Sequence, residues 1–108
     1  MAEPGEIFPR QLKERMDRGD RPLILDVRET EEVAIAPFPC ATHIPMGEVP
    51  SRRSELDPER EVVVVCHHGI RSAQVAGYLS SIGFERVLNL TGGIDAWSLS
   101  VDPTVRRY

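Results

Sequence analysis

Seven consecutive residues combine the side chains that a thiol-based reaction needs: Cys66, His67, His68, Gly69, Ile70, Arg71 and Ser72. A glycine follows the cysteine after three residues, and an arginine follows it after five. The apolar run of residues 62–65 precedes this segment, and apolar residues at helical spacing follow it. We therefore expect Cys66 to lie on a loop between the end of a strand and the start of a helix.

The predicted loop has the properties of an anion-binding site. Backbone N–H groups at the start of a helix lack partners within the helix and carry partial positive charge. Gly69 can adopt the backbone angles of a tight loop, and Arg71 adds a permanent positive charge. No acidic residue occurs between residues 62 and 84, so no sequence neighbour cancels this field. We predict that Cys66 is a nucleophile within reach of solutes and is substantially thiolate at neutral pH.

Less specific interpretations of these residues also exist. A cysteine at the end of a strand is commonly a small buried core residue, but a core residue does not require the loop that follows here. His67 and His68 could assist anion binding or could simply be solvated. We do not predict a metal site, because adjacent ligands lack the usual spacing and the sequence has no second ligand cluster. Cys40 is predicted to be a packing or loop residue.

Helix and strand patterns alternate along the chain and predict an α/β fold. The predicted helices cover residues 7–18, 29–34, 46–56, 72–82 and 94–99, and the predicted strands cover residues 22–27, 41–45, 61–66 and 87–90. Four consecutive valines in the third strand do not alternate with polar residues, which indicates a central strand covered on both faces. The order predicts a three-layer α/β/α sandwich with a mostly parallel sheet. Ligands bind beyond the carboxyl ends of such strands, where Cys66 falls.

Length and composition limit the remaining possibilities. The 108 residues favour one domain, with its core in about residues 7–100. A net charge of -4 gives no support to nucleic-acid binding, and two cysteines are too few for a disulfide scaffold. We expect neither a signal peptide nor a membrane span, since no stretch approaches the ~18 apolar residues that a span needs. A cytoplasmic location, with a free thiol, is the resulting expectation.

Four segments in this order make the sequence resemble the rhodanese family over nearly the whole chain. The loop that begins at Cys66 resembles the family's active-site loop. The other three segments are Leu25-Asp26-Val27-Arg28 with Glu29 and Glu32, His43-Ile44-Pro45-Met46-Gly47 with Pro50-Ser51-Arg52, and Gly92-Gly93-Ile94-Asp95-Ala96-Trp97. We expect Asp26 and Arg28 to give structural support through hydrogen bonds. Gly92-Gly93 is expected to form a tight turn, and Trp97 to pack in or beside the core.

The resemblance implies a sulfurtransferase that works in two steps and needs no cofactor. The Cys66 thiolate would take the outer sulfur of a small anionic donor such as thiosulfate, forming a persulfide. Loop residues 67–72 would bind the donor and the persulfide through backbone groups and Arg71. Cyanide, a thiol or a thiol-bearing protein would then accept the sulfur.

Two other functions remain open from the sequence. The chain could be a persulfide carrier or partner-binding module that does not use thiosulfate. It could also be a phosphatase or arsenate reductase, since some phosphatases share this fold. Their loops place one more residue between cysteine and arginine than this chain has between Cys66 and Arg71. The shorter loop makes a tighter cradle, which suits a single sulfur better than a tetrahedral phosphoryl group.

Overall fold

The computed structural model describes residues 3–108, in which five strands form one sheet. The strands are β1 (Gly5–Ile7), β2 (Leu23–Asp26), β3 (Ala41–His43), β4 (Val62–Val65) and β5 (Val87–Leu90). The helices are α1 (Pro9–Asp17), α2 (Thr30–Ile35), α3 (Val49–Arg52), α4 (Ile70–Ser81) and α5 (Gly93–Ser100). The strand order is β1-β5-β4-β2-β3, and each neighbouring pair is parallel.

The valines of β4 separate two apolar layers. Val62 and Val64 pack in a cluster with residues of α3 and α4, whereas Val63 and Val65 pack in a second cluster with residues of α1 and α5. All four side chains are fully buried. The run of valines therefore marks a central strand covered on both faces, as predicted. Together with the parallel pairing, this confirms the predicted three-layer α/β/α sandwich.

The prediction for the start of the chain is wrong in one respect. Residues 5–7 form the edge strand β1, which pairs with β5, and the helix predicted from residue 7 begins only at Pro9. A three-residue strand is too short to show a period in the sequence. Proline is favoured in the first turn of a helix, because the N–H group that it lacks has no helical partner there. The strand missed here brings Glu6 beside Asn89.

The connection between β3 and β4 is less regular than the single helix predicted for residues 46–56. It consists of the 3₁₀ turn Met46–Glu48, the four-residue helix α3 and the 3₁₀ turn Arg53–Glu55. Pro50 lies in the first turn of α3, where its missing N–H group is tolerated. No helix within residues 3–108 is long and apolar enough to cross a membrane.

Helix α4 begins two residues earlier than predicted, and this shift matters for the site. Gly69 precedes it with φ of 94° in the left-handed region, which glycine adopts without strain. Ser72 therefore lies in the first turn, where backbone N–H groups have no helical partner. The far end follows the prediction: Gly83 has φ of 108° after the last turn, and Phe84 is buried.

Candidate functional site

The Cys66 sulfur lies at the carboxyl end of β4, surrounded by the start of α4. Its Sγ accepts hydrogen bonds from the backbone N–H groups of Gly69 at 3.1 Å and Ser72 at 3.3 Å. The thiol donates to the Ser72 hydroxyl oxygen at 3.2 Å. The structure thus brings three of the predicted site residues together. Two N–H groups that the helix cannot satisfy are directed at one sulfur atom, which is an arrangement able to hold a sulfur anion.

The sulfur is less accessible than the sequence led us to expect. Cys66 is only 1% exposed, whereas Ile70, on the outer side of the same loop, is 71% exposed. Cys66 is the first residue after the central strand β4, at the carboxyl ends of the strands. It is buried both by the loop and by the apolar cluster that lies between the sheet and α4. The expectation of an open thiol is wrong for this conformation. In this conformation the residue offers very little surface to a reactant.

Helix α5 holds the backbone at the start of this loop through two hydrogen bonds. The backbone N–H groups of Ile94 and Asp95 donate to the carbonyl oxygens of Cys66 at 2.9 Å and His67 at 3.0 Å. These carbonyls therefore face α5. Gly93 makes the close approach possible, because a Cβ atom there would lie 2.5 Å from both carbonyl oxygens. The sequence predicted the turn, but it did not indicate that the turn contacts the loop.

The Arg71 side chain contacts the carboxylate of Glu32, which lies 39 residues earlier in the sequence. Its guanidinium donates to the two Glu32 carboxylate oxygens at 2.6 Å and 2.8 Å. Hydrogen bonds from Arg71, with a smaller contribution from the Tyr108 hydroxyl, lower the pKa of Glu32 to about 2. The carboxylate is therefore ionised at neutral pH and forms an ion pair with Arg71. No sequence neighbour of the loop is acidic, but Glu32 reaches Arg71 from α2. Direct contact of Arg71 with an anion stays a prediction.

The two histidines form a stack that includes Tyr108. The His67 ring lies between those of His68, with centroids 3.9 Å apart, and Tyr108, with centroids 3.8 Å apart and planes 11° apart. The Tyr108 hydroxyl donates to Glu32 at 2.8 Å and accepts from Arg28 at 3.1 Å. Burial, and to a smaller extent His68, lower the pKa of His67, so its ring is neutral at neutral pH. No motif in the sequence indicated that Tyr108 would join the site.

Asp26 and Arg28 form a buried ion pair at the end of β2. The Arg28 guanidinium donates to the Asp26 carboxylate at 2.8 Å and 3.0 Å, and it also donates to the carbonyl oxygens of Glu32 and Ala36. In the described part of the chain, the hydrogen bonds of the Cys66 sulfur involve only Gly69 and Ser72. The pair therefore joins β2 to α2, and a supporting role for it remains our prediction.

Asn89 is a site residue that the sequence analysis missed. It lies buried on β5, where its Oδ1 accepts a 2.5 Å hydrogen bond from the Ser72 hydroxyl. Its Nδ2 donates to the Gly69 carbonyl oxygen at 3.2 Å and to the Glu6 carboxylate. The sequence signal that could have identified Asn89 is a single amide side chain within a short apolar strand. A buried polar side chain is stable only with partners, which here come from the loop around the sulfur.

Residues 3–108 contain no group of three or more His, Cys, Asp or Glu side chains arranged to hold a metal ion. The second thiol, Cys40, is exposed in a turn with φ of 58°.

Comparisons with known proteins match this architecture. A family model described as "Rhodanese-like domain" matches residues 8–100. A sulfurtransferase of Allochromatium vinosum is 41% identical over 94 residues, which span 87% of this chain and 88% of that protein. YtwF of Bacillus subtilis, named provisionally as a sulfurtransferase, is 41% identical over 98 residues, or 91% and 94% of the two chains. The crystal structure of a rhodanese-like domain protein from Staphylococcus aureus superposes with a TM-score of 0.81 at 33% identity, over 86% of this chain and 90% of that one.

Proposed function

Since the chain belongs to the rhodanese-like domain family, we propose that it is a sulfurtransferase that carries sulfur as a persulfide on Cys66. The observation that carries the proposal is the position of the Cys66 sulfur, at the end of β4 and within hydrogen-bonding distance of two N–H groups at the start of α4. Such donors stabilise a thiolate, which is the reactive form of the side chain.

The reaction proceeds in two steps that regenerate the thiolate. In the first, the Cys66 thiolate attacks the outer sulfur of a sulfane donor, for which thiosulfate is our choice. A sulfur–sulfur bond forms to Cys66, the bond inside the donor breaks, and sulfite leaves with the electron pair. In the second step, cyanide or the thiolate of an acceptor attacks the terminal sulfur, and Cys66 leaves as a thiolate. The acceptor thiol can belong to a small molecule or to a partner protein.

The charge distribution of the loop supports sulfur transfer over phosphoryl or arsenate chemistry. A phosphoryl group presents several charged oxygens and is commonly bound by a free arginine that contacts two of them. Here the two terminal nitrogens of Arg71 are paired with Glu32, and the sulfur faces backbone N–H groups. A terminal sulfur carries one negative charge on one atom, for which two such donors are sufficient. Hydrolysis of an aryl phosphate at a rate comparable to sulfur transfer would contradict this choice.

The same ion pair favours one second candidate, a persulfide carrier. Since Glu32 cancels much of the Arg71 charge, the loop attracts a doubly charged donor such as thiosulfate less than an uncompensated arginine would. A persulfide donor delivers the same sulfur with less negative charge. A comparison of kcat/KM for thiosulfate, mercaptopyruvate and a persulfide donor separates the two, because a carrier would react well only with the persulfide.

The central test measures the mass of the intact protein. After treatment with thiosulfate, the mass should rise by one sulfur atom, and cyanide should reverse this change. Cys66→Ala should abolish both changes, whereas the matched variant Cys40→Ala, at the exposed cysteine, should retain them. Sulfur that still loads onto Cys66→Ala, or that loads only onto Cys40, would rule out the proposed role of Cys66.

A further inference from the structure

A chain of hydrogen bonds leads from the Cys66 sulfur into the sheet. The thiol donates to the Ser72 Oγ atom at 3.2 Å, and the Ser72 hydroxyl donates to Asn89 Oδ1 at 2.5 Å. Both Ser72 and Asn89 are buried, at 0% and 5% exposure, so water does not replace these contacts. The hydroxyl of Ser72 thus lies between the reactive sulfur and an amide oxygen.

Two acceptors fix the orientation of the Asn89 amide. Its Nδ2 lies 3.2 Å from the Gly69 carbonyl oxygen and 3.2 Å from a carboxylate oxygen of Glu6. Neither oxygen can donate a proton, so the amide nitrogen must face them and the amide oxygen must face Ser72. The amide oxygen likewise has no proton to give. The single hydroxyl proton of Ser72 is therefore committed to Asn89 while Cys66 is a thiol.

Ionisation of Cys66 changes the demand for that proton. When the thiol proton leaves for solvent, the sulfur becomes an anion that gains from every available donor. The backbone N–H groups of Gly69 and Ser72 are already directed at it. The Ser72 hydroxyl can become a third donor only if its proton leaves Asn89. The Asn89 amide oxygen and the Cys66 thiolate therefore compete for the hydrogen bond that the Ser72 hydroxyl donates.

We propose that Asn89 is a positioning residue that competes with the Cys66 sulfur for the hydroxyl proton of Ser72, and so restrains formation of the thiolate. The inference deepens the proposed function, because the same donor would also hold the terminal sulfur of the persulfide. Asn89 acts only through Ser72. It also holds the loop in place through the Gly69 carbonyl, so a test must separate competition for the proton from support of the loop.

The charged residues around the loop are the same in every variant of this comparison. The titratable and charged groups of the loop and of the elements packed against it are Glu6, Asp26, Arg28, Glu32, His67, His68, Arg71, Asp95, Arg107 and Tyr108. None of them is changed in the variants below. A difference between those variants therefore reports on the Ser72 hydroxyl and the amide.

The test is a double-mutant cycle at Ser72 and Asn89 in a Cys40→Ala background, where Cys66 is the single thiol. The thiolate is measured by its ultraviolet absorbance and by the rate of alkylation with iodoacetamide across the neutral pH range. Asn89→Ala should increase the thiolate fraction at a pH where it is small, by about fivefold for the release of one neutral hydrogen bond. In the Ser72→Ala background, Asn89→Ala should change the thiolate fraction much less, because no hydroxyl proton remains to be released and only the contact with the Gly69 carbonyl oxygen is lost.

Controls separate this competition from a general change in the loop. Thr91→Val removes another hydrogen bond to Glu6, at 2.8 Å, without touching Ser72, and should leave the thiolate fraction unchanged. If Asn89→Ala does not fold, Asn89→Leu keeps a similar volume without an acceptor and serves in its place. The proposal is overturned if removal of the amide leaves the thiolate fraction unchanged or lowers it, or if the change is equal in both backgrounds.

The result of this test does not depend on whether the protein transfers sulfur. The ultraviolet absorbance reports on the thiolate without any sulfur donor. Alkylation, in which iodoacetamide forms a carbon–sulfur bond as iodide leaves, reports on the thiolate together with the access of a reagent to the sulfur. A Cys66 that alkylates as expected but never gains sulfur contradicts the sulfurtransferase proposal alone. Normal sulfur transfer with equal effects of Asn89→Ala in both backgrounds contradicts the present inference alone.

Discussion

Substitution of Gly93 tests whether helix α5 shapes the loop around the sulfur. In Gly93→Ala, the added methyl group would lie 2.5 Å from the carbonyl oxygens of Cys66 and His67. Both atoms belong to the backbone and cannot rotate away as a side chain could. The φ angle of Gly93 is 65°, in the region that favours glycine. Either the loop or the start of α5 must therefore shift.

The expected cost follows from these two features. An alanine in the left-handed region is less favourable than glycine by about 1–2 kcal/mol. A shift of α5 weakens the hydrogen bonds from Ile94 and Asp95 to the loop carbonyls, which contribute about 1 kcal/mol each. We expect the free energy of unfolding to fall by about 3–4 kcal/mol, out of the roughly 5–15 kcal/mol typical of a domain. The variant should fold, with a weakened loop.

Urea unfolding measures this loss, with the fluorescence of Trp97 as the probe. Trp97 is the single tryptophan and is 2% exposed, packed edge-on against Phe38, so unfolding changes its surroundings. Gly77→Ala is the matched control, because a Cβ at residue 77 meets nothing within 4 Å and Gly77 lies inside α4. The control should be more stable than the parent protein by about 0.5–1 kcal/mol.

A second measurement connects the loss of stability to the sulfur. If the loop carbonyls no longer face α5, the N–H groups of Gly69 and Ser72 move relative to Cys66. The alkylation rate of Cys66 should therefore change in Gly93→Ala and remain at the parent value in Gly77→Ala. Equal stabilities for the two variants, within about 1 kcal/mol, would refute the argument that close contact with the loop requires glycine at this position.

Two further substitutions test the side chains that surround the loop. Because pairing with Arg71 lowers the pKa of Glu32 from 4.5 to about 2, the carboxylate stabilises the fold above about pH 4.5, and this contribution is lost as the pH falls towards 2. Glu32→Gln should reduce the free energy of unfolding at neutral pH by about 2 kcal/mol and flatten its dependence on pH in that acidic range, measured by urea unfolding as a function of pH. Tyr108→Ala removes the stack on His67, worth about 0.5–1.5 kcal/mol, which holds the loop around the sulfur. Because the loop is then held less firmly, alkylation of Cys66 should become roughly three- to tenfold faster. Tyr108→Phe keeps the stacked ring and should react more like the parent protein, so equal acceleration in both variants would contradict this role of the ring.

The sequence predicted the parts of the fold that rest on local patterns. The run of valines in β4 identified a strand buried on both faces, and Gly83 identified the end of α4. The edge strand β1 was missed because its three residues are defined by pairing with β5, which local periodicity cannot show. The helix predicted over residues 46–56 was wrong because Pro50 and local 3₁₀ turns divide that segment.

The candidate site shows the same division between local and distant information. The loop from Cys66 to Ser72 could be predicted, because its residue types and its place between a strand and a helix lie within one segment. The partners that set its charge could not. Glu32 is 39 residues from Arg71, and Asn89 is 17 residues from Ser72. These contacts depend on the order of the strands in the sheet, which local sequence patterns do not specify.

Because the charged side chains around the Cys66 sulfur are paired, they contribute little to the attraction of an anion. Arg71 is paired with Glu32, Arg28 is paired with Asp26, and burial lowers the pKa of His67, so its ring is neutral at neutral pH. The remaining attraction for an anion comes from peptide N–H groups at the start of α4, which act over short distances and in fixed directions. Such donors select among anionic reactants by the position of a single charged atom more than by the total charge of the reactant. A site of this kind suits a reactant whose charge is concentrated on one sulfur, and it gains little from further charges elsewhere on the donor.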